Sequence, residues 1–229
     1  MSATLYGVSV GPGDPELVTL KARRVMESCD VVAAPRTAGG DHLALDIARQ
    51  AADLSGKTVV YIDSIMSRDP EELDRSHAEQ AALLAEHLAA GRSVALLNIG
   101  DVSVFSTFSY IADKLGGSYP VEVVPGVTSF CAAAAVAGES LTTMNEPLHI
   151  IPASGMSVDD ALGLDGTKVL MKSGRHLPEM LAQIEAAGLA DSAWMVQNCG
   201  LPGQRVVRDI AQDEPENSYF SLIVVKERA

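Results

Sequence analysis

The sequence predicts an α/β protein made of two consecutive α/β domains, residues 1–116 and 117–229, with a ligand cleft between them. Short apolar runs of strand length recur along the chain, and most of them end at a turn that contains glycine or proline. In the first half these strands alternate with helical patterns, which is typical of a parallel sheet covered by helices. In the second half strands are denser, and the last two follow each other without a helix, which predicts an antiparallel edge.

The first domain is expected to contain strands at 4–10, 30–34, 57–62 and 94–97. Asp14 and Asp69 each precede a proline, and an N-cap aspartate followed by proline favours the start of a helix. We expect the first of these helices to continue to about residue 26 and the second to end near residue 91, with a further helix at 43–54. Gly116-Gly117-Ser118, followed by Pro120, marks the expected domain boundary.

The second domain is expected to contain six strands and two helices. The strands are predicted at 121–124, 148–151, 168–171, 193–197, 205–210 and 219–226 from their apolar and β-branched content. Helical patterns fall at 130–137, which is rich in alanine, and at 177–187, which Gly188 closes.

Composition and charge exclude several classes of protein. The 229 residues carry a net charge of −13, which argues against a nucleic-acid partner but leaves room for a local cationic cluster that binds a small anion. The three cysteines are scattered without a CxxC pair, so we expect neither a disulfide framework nor a metal site. We also expect no signal peptide and no membrane span, and therefore a cytoplasmic protein.

The most informative stretch is 94–107. It begins as a buried strand and breaks at Gly100-Asp101, and a hydroxyl-rich segment then leads into a helix. Ligands of open α/β sheets bind at the carboxyl ends of strands, where such a loop lies. The earlier glycine turn at 11–15 does not match the dinucleotide fingerprint, because Glu16 occupies the third glycine position, and no P-loop is present.

Three loops that follow strands carry small or turn-forming residues in a fixed order. They are Gly11-Pro12-Gly13-Asp14-Pro15, Ile99-Gly100-Asp101, and Val124-Pro125-Gly126-Val127-Thr128-Ser129. As an ordered set they resemble the tetrapyrrole (corrin/porphyrin) methylase family, and the resemblance spans nearly the whole chain, from Leu5 to about Val225. The resemblance implies two α/β domains, a homodimer, and S-adenosylmethionine bound in the interdomain cleft, with S-adenosylhomocysteine as the product.

The resemblance also implies which residues bind the methyl donor. Met171 or Lys172 falls where the family has a methionine contact, and the register between them stays open. Cys199 stands where relatives often have glycine or alanine, a departure from the family pattern. The expected donor-binding residues are Pro12, Ile99, Gly100, Asp101, Val104, Thr128, Ser129, Met171, Lys172 and Cys199.

Within the family, the segments 100–107, 148–153 and 169–172 are most similar to the precorrin-2 C(20)-methyltransferases of cobalamin synthesis. Val102 and Ser106 replace the proline and glycine that are typical of the uroporphyrinogen methylases. The implied reaction adds a methyl group to carbon 20 of precorrin-2 or cobalt-precorrin-2. The alternatives are another tetrapyrrole methylase, acting on a different ring carbon or on uroporphyrinogen, a relative that methylates a protein side chain, and a non-catalytic nucleotide-binding module.

Methyl transfer from a sulfonium needs positioning and desolvation more than acid, base or metal chemistry, so no catalytic side chain is assigned. Asp101 is a candidate partner for a positive part of the donor, and Thr128 and Ser129 are candidate helix caps as well as ligand contacts. A tetrapyrrole acceptor carries many carboxylates, which favours cationic contacts. The candidates that follow strand ends are Arg36, Lys172, Arg175 and His176.

Overall fold

The computed structural model describes residues 3–65, 67, 69–211 and 219–226, with the side chain of Arg175 excepted. The chain divides into two compact units, Met1–Thr128 and Ser129–Ala229. This division falls later in the chain than the boundary expected between residues 116 and 117. The reason is that the strand Val121–Val124 pairs in parallel with the first strand of the chain, and therefore completes the first sheet instead of opening the second.

The first unit is a parallel sheet of five strands with helices on both faces. Its sheet order is β3-β2-β4-β1-β5, and all four pairings are parallel. In chain order the elements are β1 (Leu5–Ser9), α1 (Leu20–Ser28), β2 (Val31–Arg36), α2 (Leu43–Ala51), β3 (Thr58–Asp63), α3 (Pro70–Ala89), β4 (Val94–Asn98), α4 (Phe108–Leu115) and β5 (Val121–Val124).

Two apolar layers hold this unit together, one on each face of the sheet. Alternate residues of β1 and β4 point to opposite faces, as the two-residue period of a strand requires. Val8, Ala95 and Leu97 pack with α1 and α2 on one face, whereas Leu5 and Leu96 pack with α3 and α4 on the other. Because both faces of the sheet are covered, its central strands read as continuous apolar runs.

The first helix differs from its prediction. Asp14 caps only a 3-10 turn, Pro15–Leu17, by accepting a hydrogen bond from the amide of Glu16 at 2.8 Å. Val18 then adopts an extended conformation, and Thr19 caps α1 by accepting a hydrogen bond from the amide of Ala22 at 3.1 Å. The expected continuous helix is therefore two short ones, because Thr19 supplies a second N-cap. The Asp69-Pro70 start of α3 is confirmed.

The second unit is a mixed sheet with helices on both faces. Its sheet order is β6-β7-β10-β8-β9. In chain order the elements are α5 (Ser129–Ala137), β6 (Leu148–Pro152), α6 (Val158–Leu162), β7 (Thr167–Met171), α7 (Leu177–Ala186), β8 (Ala193–Gln197), β9 (Arg205–Val207) and β10 (Ser221–Val225). The helix α5 packs on one face, and α6 and α7 pack on the other.

The expected antiparallel edge is present, but only β9 lies at it. It pairs antiparallel with β8, whereas β10 lies inside the sheet, antiparallel to both β7 and β8. The helix α6 was not expected from the sequence, although Ser157 caps it by accepting a hydrogen bond from the amide of Asp160. No helix among the described residues combines the length and the apolarity that crossing a membrane requires.

Candidate functional site

The three loops predicted to bind a ligand emerge from neighbouring strands of the first sheet. The strands β4, β1 and β5 are adjacent and parallel, so their carboxyl ends lie at one edge. The loop 10–14 follows β1, the loop 99–107 follows β4, and the loop 125–128 follows β5. The topology therefore brings together segments that are far apart in the sequence.

Backbone hydrogen bonds join the first two loops. The amide of Gly100 donates to the carbonyl of Gly11 at 2.7 Å, and the amide of Val10 donates to the carbonyl of Asn98 at 2.8 Å. Gly11 and Gly100 have φ angles of 73° and 74°, in the left-handed region that glycine adopts without a steric penalty. Backbone hydrogen bonds thus hold the two loops together, and each loop has a glycine at a position where the backbone is left-handed.

Asp101 joins the second loop to the third. Its side chain is buried; Oδ1 accepts from the amide of Ser103 at 2.8 Å, and Oδ2 accepts from the amide of Gly126 at 2.7 Å. Burial by itself raises the pKa of Asp101, but the hydrogen bonds from Ser103 and Gly126 outweigh it, and the pKa lies below its usual value. The structure gives this carboxylate a role within the protein, whereas direct pairing with a ligand stays a prediction.

The third loop approaches the other two as closely as a glycine allows. A Cβ atom at Gly126 would lie 2.4 Å from Cβ of Ser9 and 2.7 Å from the carbonyl oxygen of Gly100. Ser9 in turn accepts a hydrogen bond from the amide of Val102 at 2.9 Å through its Oγ atom. The position of each loop therefore depends on the other two.

Thr128 ends the third loop with an unused polar group. Its Oγ1 atom is buried and has no hydrogen-bond partner among the described residues. The expected capping of the following helix by Thr128 is therefore absent from the structure. Buried hydroxyl groups are nearly always hydrogen-bonded, so an orphaned one at a loop edge indicates a place for a ligand atom or a water molecule.

The second unit carries its own cluster of predicted residues at one sheet edge. The strands β7 and β8 both run antiparallel to β10, so their carboxyl ends lie on the same side. Met171 and Cys199 pack against the apolar cluster that α5 forms with the sheet, and Phe130, next to Ser129, packs there too. Lys172 and Asn198, which follow these strands, have φ angles of 58° and 50°.

The sequence profile of the tetrapyrrole (corrin/porphyrin) methylases matches residues 4–213. The chain belongs to this family. A cobalt-precorrin-2 C(20)-methyltransferase from Salmonella typhimurium is 35% identical over 234 residues, covering 100% of this chain and 98% of that enzyme. A precorrin-2 C(20)-methyltransferase from a Sinorhizobium species is 31% identical, covering 96% and 94%. The solved structure of uroporphyrin-III C-methyl transferase from Thermus thermophilus, complexed with S-adenyl homocysteine, has a TM-score of 0.70 at 25% identity and covers 98% of both chains.

The loops of this methylase suit a ligand such as S-adenosylmethionine, which offers many hydrogen-bonding groups. The buried Thr128 hydroxyl supplies a donor or acceptor that no residue in the described part of the structure uses. Gly11 and Gly100 are buried and, together with Gly126, let the loops pack closely against neighbouring backbone, which fixes the main chain of the loops before a ligand binds. The structure brings together Pro12, Ile99, Gly100, Asp101, Val104 and Thr128 in the first unit, and Ser129, Met171, Lys172 and Cys199 fall in the second.

The four predicted acceptor contacts of the methylase differ in their surroundings. Arg36, at the end of β2, donates to Asp63 Oδ1 through Nε at 2.8 Å and lies 5.1 Å from the centroid of the Tyr61 ring. Lys172 is exposed overall, yet desolvation of its ammonium group lowers its pKa. His176 lies in the 3-10 turn Gly174–His176, with Nδ1 3.8 Å from Glu179 Oε2. The Arg175 side chain is outside the described part of the structure.

The sequence alone did not predict Ser9, Ser103 and Gly126 as structural members of the methylase site. The sequence does contain a signal for Gly126, because a glycine after proline at a strand end commonly marks a close backbone approach. No local sequence signal identifies Ser9, because its hydrogen-bond partner, the amide of Val102, is 93 positions away in the chain.

Proposed function

We propose that this methylase transfers a methyl group from S-adenosylmethionine to carbon 20 of precorrin-2 or cobalt-precorrin-2 in cobalamin biosynthesis. The observation that carries the proposal is similarity at 31–35% identity, over nearly the full length of both partners, to enzymes with this named activity. The three joined loops of the first unit support it, because they are the loops that the resemblance to the family assigns to the methyl donor.

The donor supplies both the methyl group and its own sulfide leaving group. The protein's task is to hold the donor, orient it and keep water away. Backbone groups of glycine-containing loops suit this task, because they are fixed before the ligand binds and carry no mobile charge. We assign no side chain as a catalytic acid or base.

We propose that the donor contacts are Pro12, Ile99, Gly100, Asp101, Val104, Thr128, Ser129, Met171, Lys172 and Cys199. Of these, Thr128 has the clearest support in the first unit, because its buried hydroxyl lacks a partner among the described residues. In the second unit, Lys172 has a left-handed backbone, and a non-glycine residue in this region is typical of functional sites.

We propose that the acceptor's carboxylates are bound by Arg36, Lys172, Arg175 and His176. Arg36 has the best support, because Asp63 and the Tyr61 ring fix the guanidinium at the carboxyl end of β2. Its Nη1 group has no hydrogen-bond partner among the described residues, so a carboxylate arm of the acceptor has two N–H groups to bind.

We further propose that the enzyme is a homodimer, as the resemblance to the family implies, and that it is cytoplasmic. Light scattering coupled to size-exclusion chromatography measures the mass directly, and a species of twice the 24.0 kDa chain mass is expected.

A mass-resolved methyl-transfer assay tests the function. The purified protein is incubated anaerobically with S-adenosylmethionine and precorrin-2, with and without inserted cobalt. A gain of one methyl group by either acceptor supports the proposal, and the faster acceptor identifies the route to the corrin ring. If neither acceptor gains mass while S-adenosylhomocysteine still binds, the acceptor assignment is wrong although the donor assignment stands.

A further inference from the structure

We infer that a cavity beside His77 in the first unit binds one carboxylate arm of the tetrapyrrole acceptor, with the imidazole of His77 as the hydrogen-bond donor. The inference rests on the proposed function and adds to it, because His77 is not among the acceptor contacts named above. Three observations carry it: the position and size of the cavity, a buried histidine on its wall without a hydrogen-bond partner, and the charge of the described residues that line it.

The cavity lies between the first sheet and the helices α3 and α4. Its wall includes the last residues of β2, β3 and β4 and the N-terminal turn of α4. Pro35, on this wall, directly precedes the proposed acceptor contact Arg36, and Thr107 ends the loop that follows β4. Because β2 and β4 are neighbours in the sheet, the cavity lies at the same sheet edge as the candidate site, next to both the proposed acceptor contact and the donor loop.

The size of the cavity suits a short acidic arm. Its volume is about 50 Å³, and one water molecule needs roughly 10–15 Å³, so the cavity has room for about three to five groups of that size. An acetate arm consists of a methylene carbon and a carboxylate, and is of this size. Leu73, Leu96 and Ile111 make part of the wall apolar, which suits the methylene carbon.

His77 brings an unused polar group to this wall. It is 7% exposed, and its ring stacks on the Tyr110 ring of α4 with the centroids 4.9 Å apart and the planes 4° apart. Neither ring nitrogen of His77 has a hydrogen-bond partner among the described residues. Buried polar side chains are nearly always hydrogen-bonded, so an imidazole held only by stacking indicates a place for a ligand atom.

The two amide side chains of the wall are already committed to the protein. Nε2 of Gln80 donates to the carbonyl of Asp63 at 2.8 Å, and Nδ2 of Asn98 donates to the carbonyl of Ile99 at 2.8 Å. Among the described residues of the wall, His77 is thus the buried side chain whose N–H group is left for a ligand.

The charge of the wall favours an anion over a cation. The protein has a net charge of −13, yet none of the described residues that line the cavity is acidic. Thr107 and Phe108, at the N-terminus of α4, line it, and a helix N-terminus carries a partial positive charge. Burial lowers the pKa of His77, and Lys114 lowers it further against the opposing effect of Asp74. The imidazole is therefore neutral at pH 7 and has one N–H group to donate to a carboxylate.

The test separates a binding role of His77 from a packing role. His77→Leu removes the hydrogen-bond donor and keeps an apolar side chain, while His77→Gln keeps an N–H group. His87→Leu is the matched control, since His87 lies on the same helix and also has a pKa lowered by burial, but does not line the cavity. For each protein we measure the melting temperature, the dissociation constants of S-adenosylhomocysteine, of a stable oxidised form of precorrin-2 and of its methyl ester, and the KM and kcat of methyl transfer.

His77→Leu is expected to bind the free acid about 10-fold more weakly and to raise the acceptor KM by a similar factor, with kcat, donor-product affinity and melting temperature close to the parent. The loss should be smaller for the methyl ester, because a hydrogen bond to an uncharged oxygen contributes less than one to a carboxylate. His77→Gln and His87→Leu are expected to stay within about 3-fold of the parent.

Unchanged binding of the free acid by His77→Leu overturns the inference, whether or not the melting temperature falls. An equal loss for the free acid and the ester also overturns it, because the imidazole would then make only an apolar contact. If His77→Leu weakens binding of the free acid as expected but the parent transfers no methyl group to precorrin-2, the inference stands and the proposed function fails.

Discussion

Gly126→Ala is expected to disturb the candidate site through packing alone. The added Cβ would lie 2.4 Å from Ser9 Cβ and 2.7 Å from the Gly100 carbonyl oxygen, so these atoms must move by about 1.0 Å and 0.7 Å to reach the 3.4 Å of ordinary contact. Overpacking of this kind costs about 1–3 kcal/mol, or about 2–12 °C in melting temperature for a chain of this size. A shift of about 1 Å in a positioning loop lowers kcat/KM by up to about 100-fold.

The matched control is Gly117→Ala, because a Cβ at Gly117 meets no atom within 4 Å. Thermal unfolding, titration with S-adenosylhomocysteine and the methyl-transfer assay are run on both variants beside the parent. We expect Gly126→Ala to lose stability, donor-product affinity and activity together, while Gly117→Ala stays close to the parent in all three. Full donor-product affinity in Gly126→Ala would show that the three loops do not depend on one another.

Three further variants test individual side chains. Asp101→Asn should lower the free energy of unfolding by about 2–3 kcal/mol at pH 7, since a buried amide donor loses its charged acceptor. The folded-state pKa of Asp101 is depressed, so the stabilisation that its carboxylate gives is full above about pH 4 and is lost as the pH falls through that lower pKa. The melting temperatures of parent and variant should therefore converge in acid, and a constant difference between them would contradict this prediction. Thr128→Val should weaken S-adenosylhomocysteine binding by about 2- to 10-fold without loss of melting temperature, whereas a drop in melting temperature at unchanged affinity would show that the hydroxyl serves the fold. Arg36→Ala should raise the acceptor KM by about 10-fold while donor affinity stays unchanged. Stability should change little, because the ion pair between Arg36 and Asp63 is exposed; weakened donor binding would place Arg36 on the donor side.

Much of the fold could be predicted because its signals are local. Apolar runs bounded by glycine and proline located the strands of both sheets, and Asp69-Pro70 located the start of α3. The sequence does not predict the break between the 3-10 turn and α1, because Asp14 and Thr19 are both good N-caps. Packing decides how far each helical turn continues.

Pairing across the chain was harder to predict. β5 follows a glycine-rich turn that looks like a domain boundary, but its partner is β1, more than a hundred residues earlier. In the same way, β10 lies between β7 and β8 in the sheet. This position depends on the edges that those two strands offer for pairing rather than on the residues of β10.

The candidate site was predicted at the level of loops rather than atoms. The residues Gly100 and Asp101 could be singled out, but the sequence does not reveal that both carboxylate oxygens of Asp101 accept hydrogen bonds from backbone amides. A contact between Asp101 and the donor stays a prediction. A carboxylate looks alike in a sequence whether it binds a ligand or joins two loops. The position of the Gly126 amide shows that Asp101 joins two loops.

The position of the transferred methyl group is the most direct test of the proposed reaction. The enzyme is supplied with S-adenosylmethionine labelled with carbon-13 in its methyl group, and the product is examined by NMR. We expect one labelled methyl group, attached to carbon 20. A label on any other ring carbon, or an unlabelled tetrapyrrole from an enzyme that binds S-adenosylhomocysteine, would contradict it.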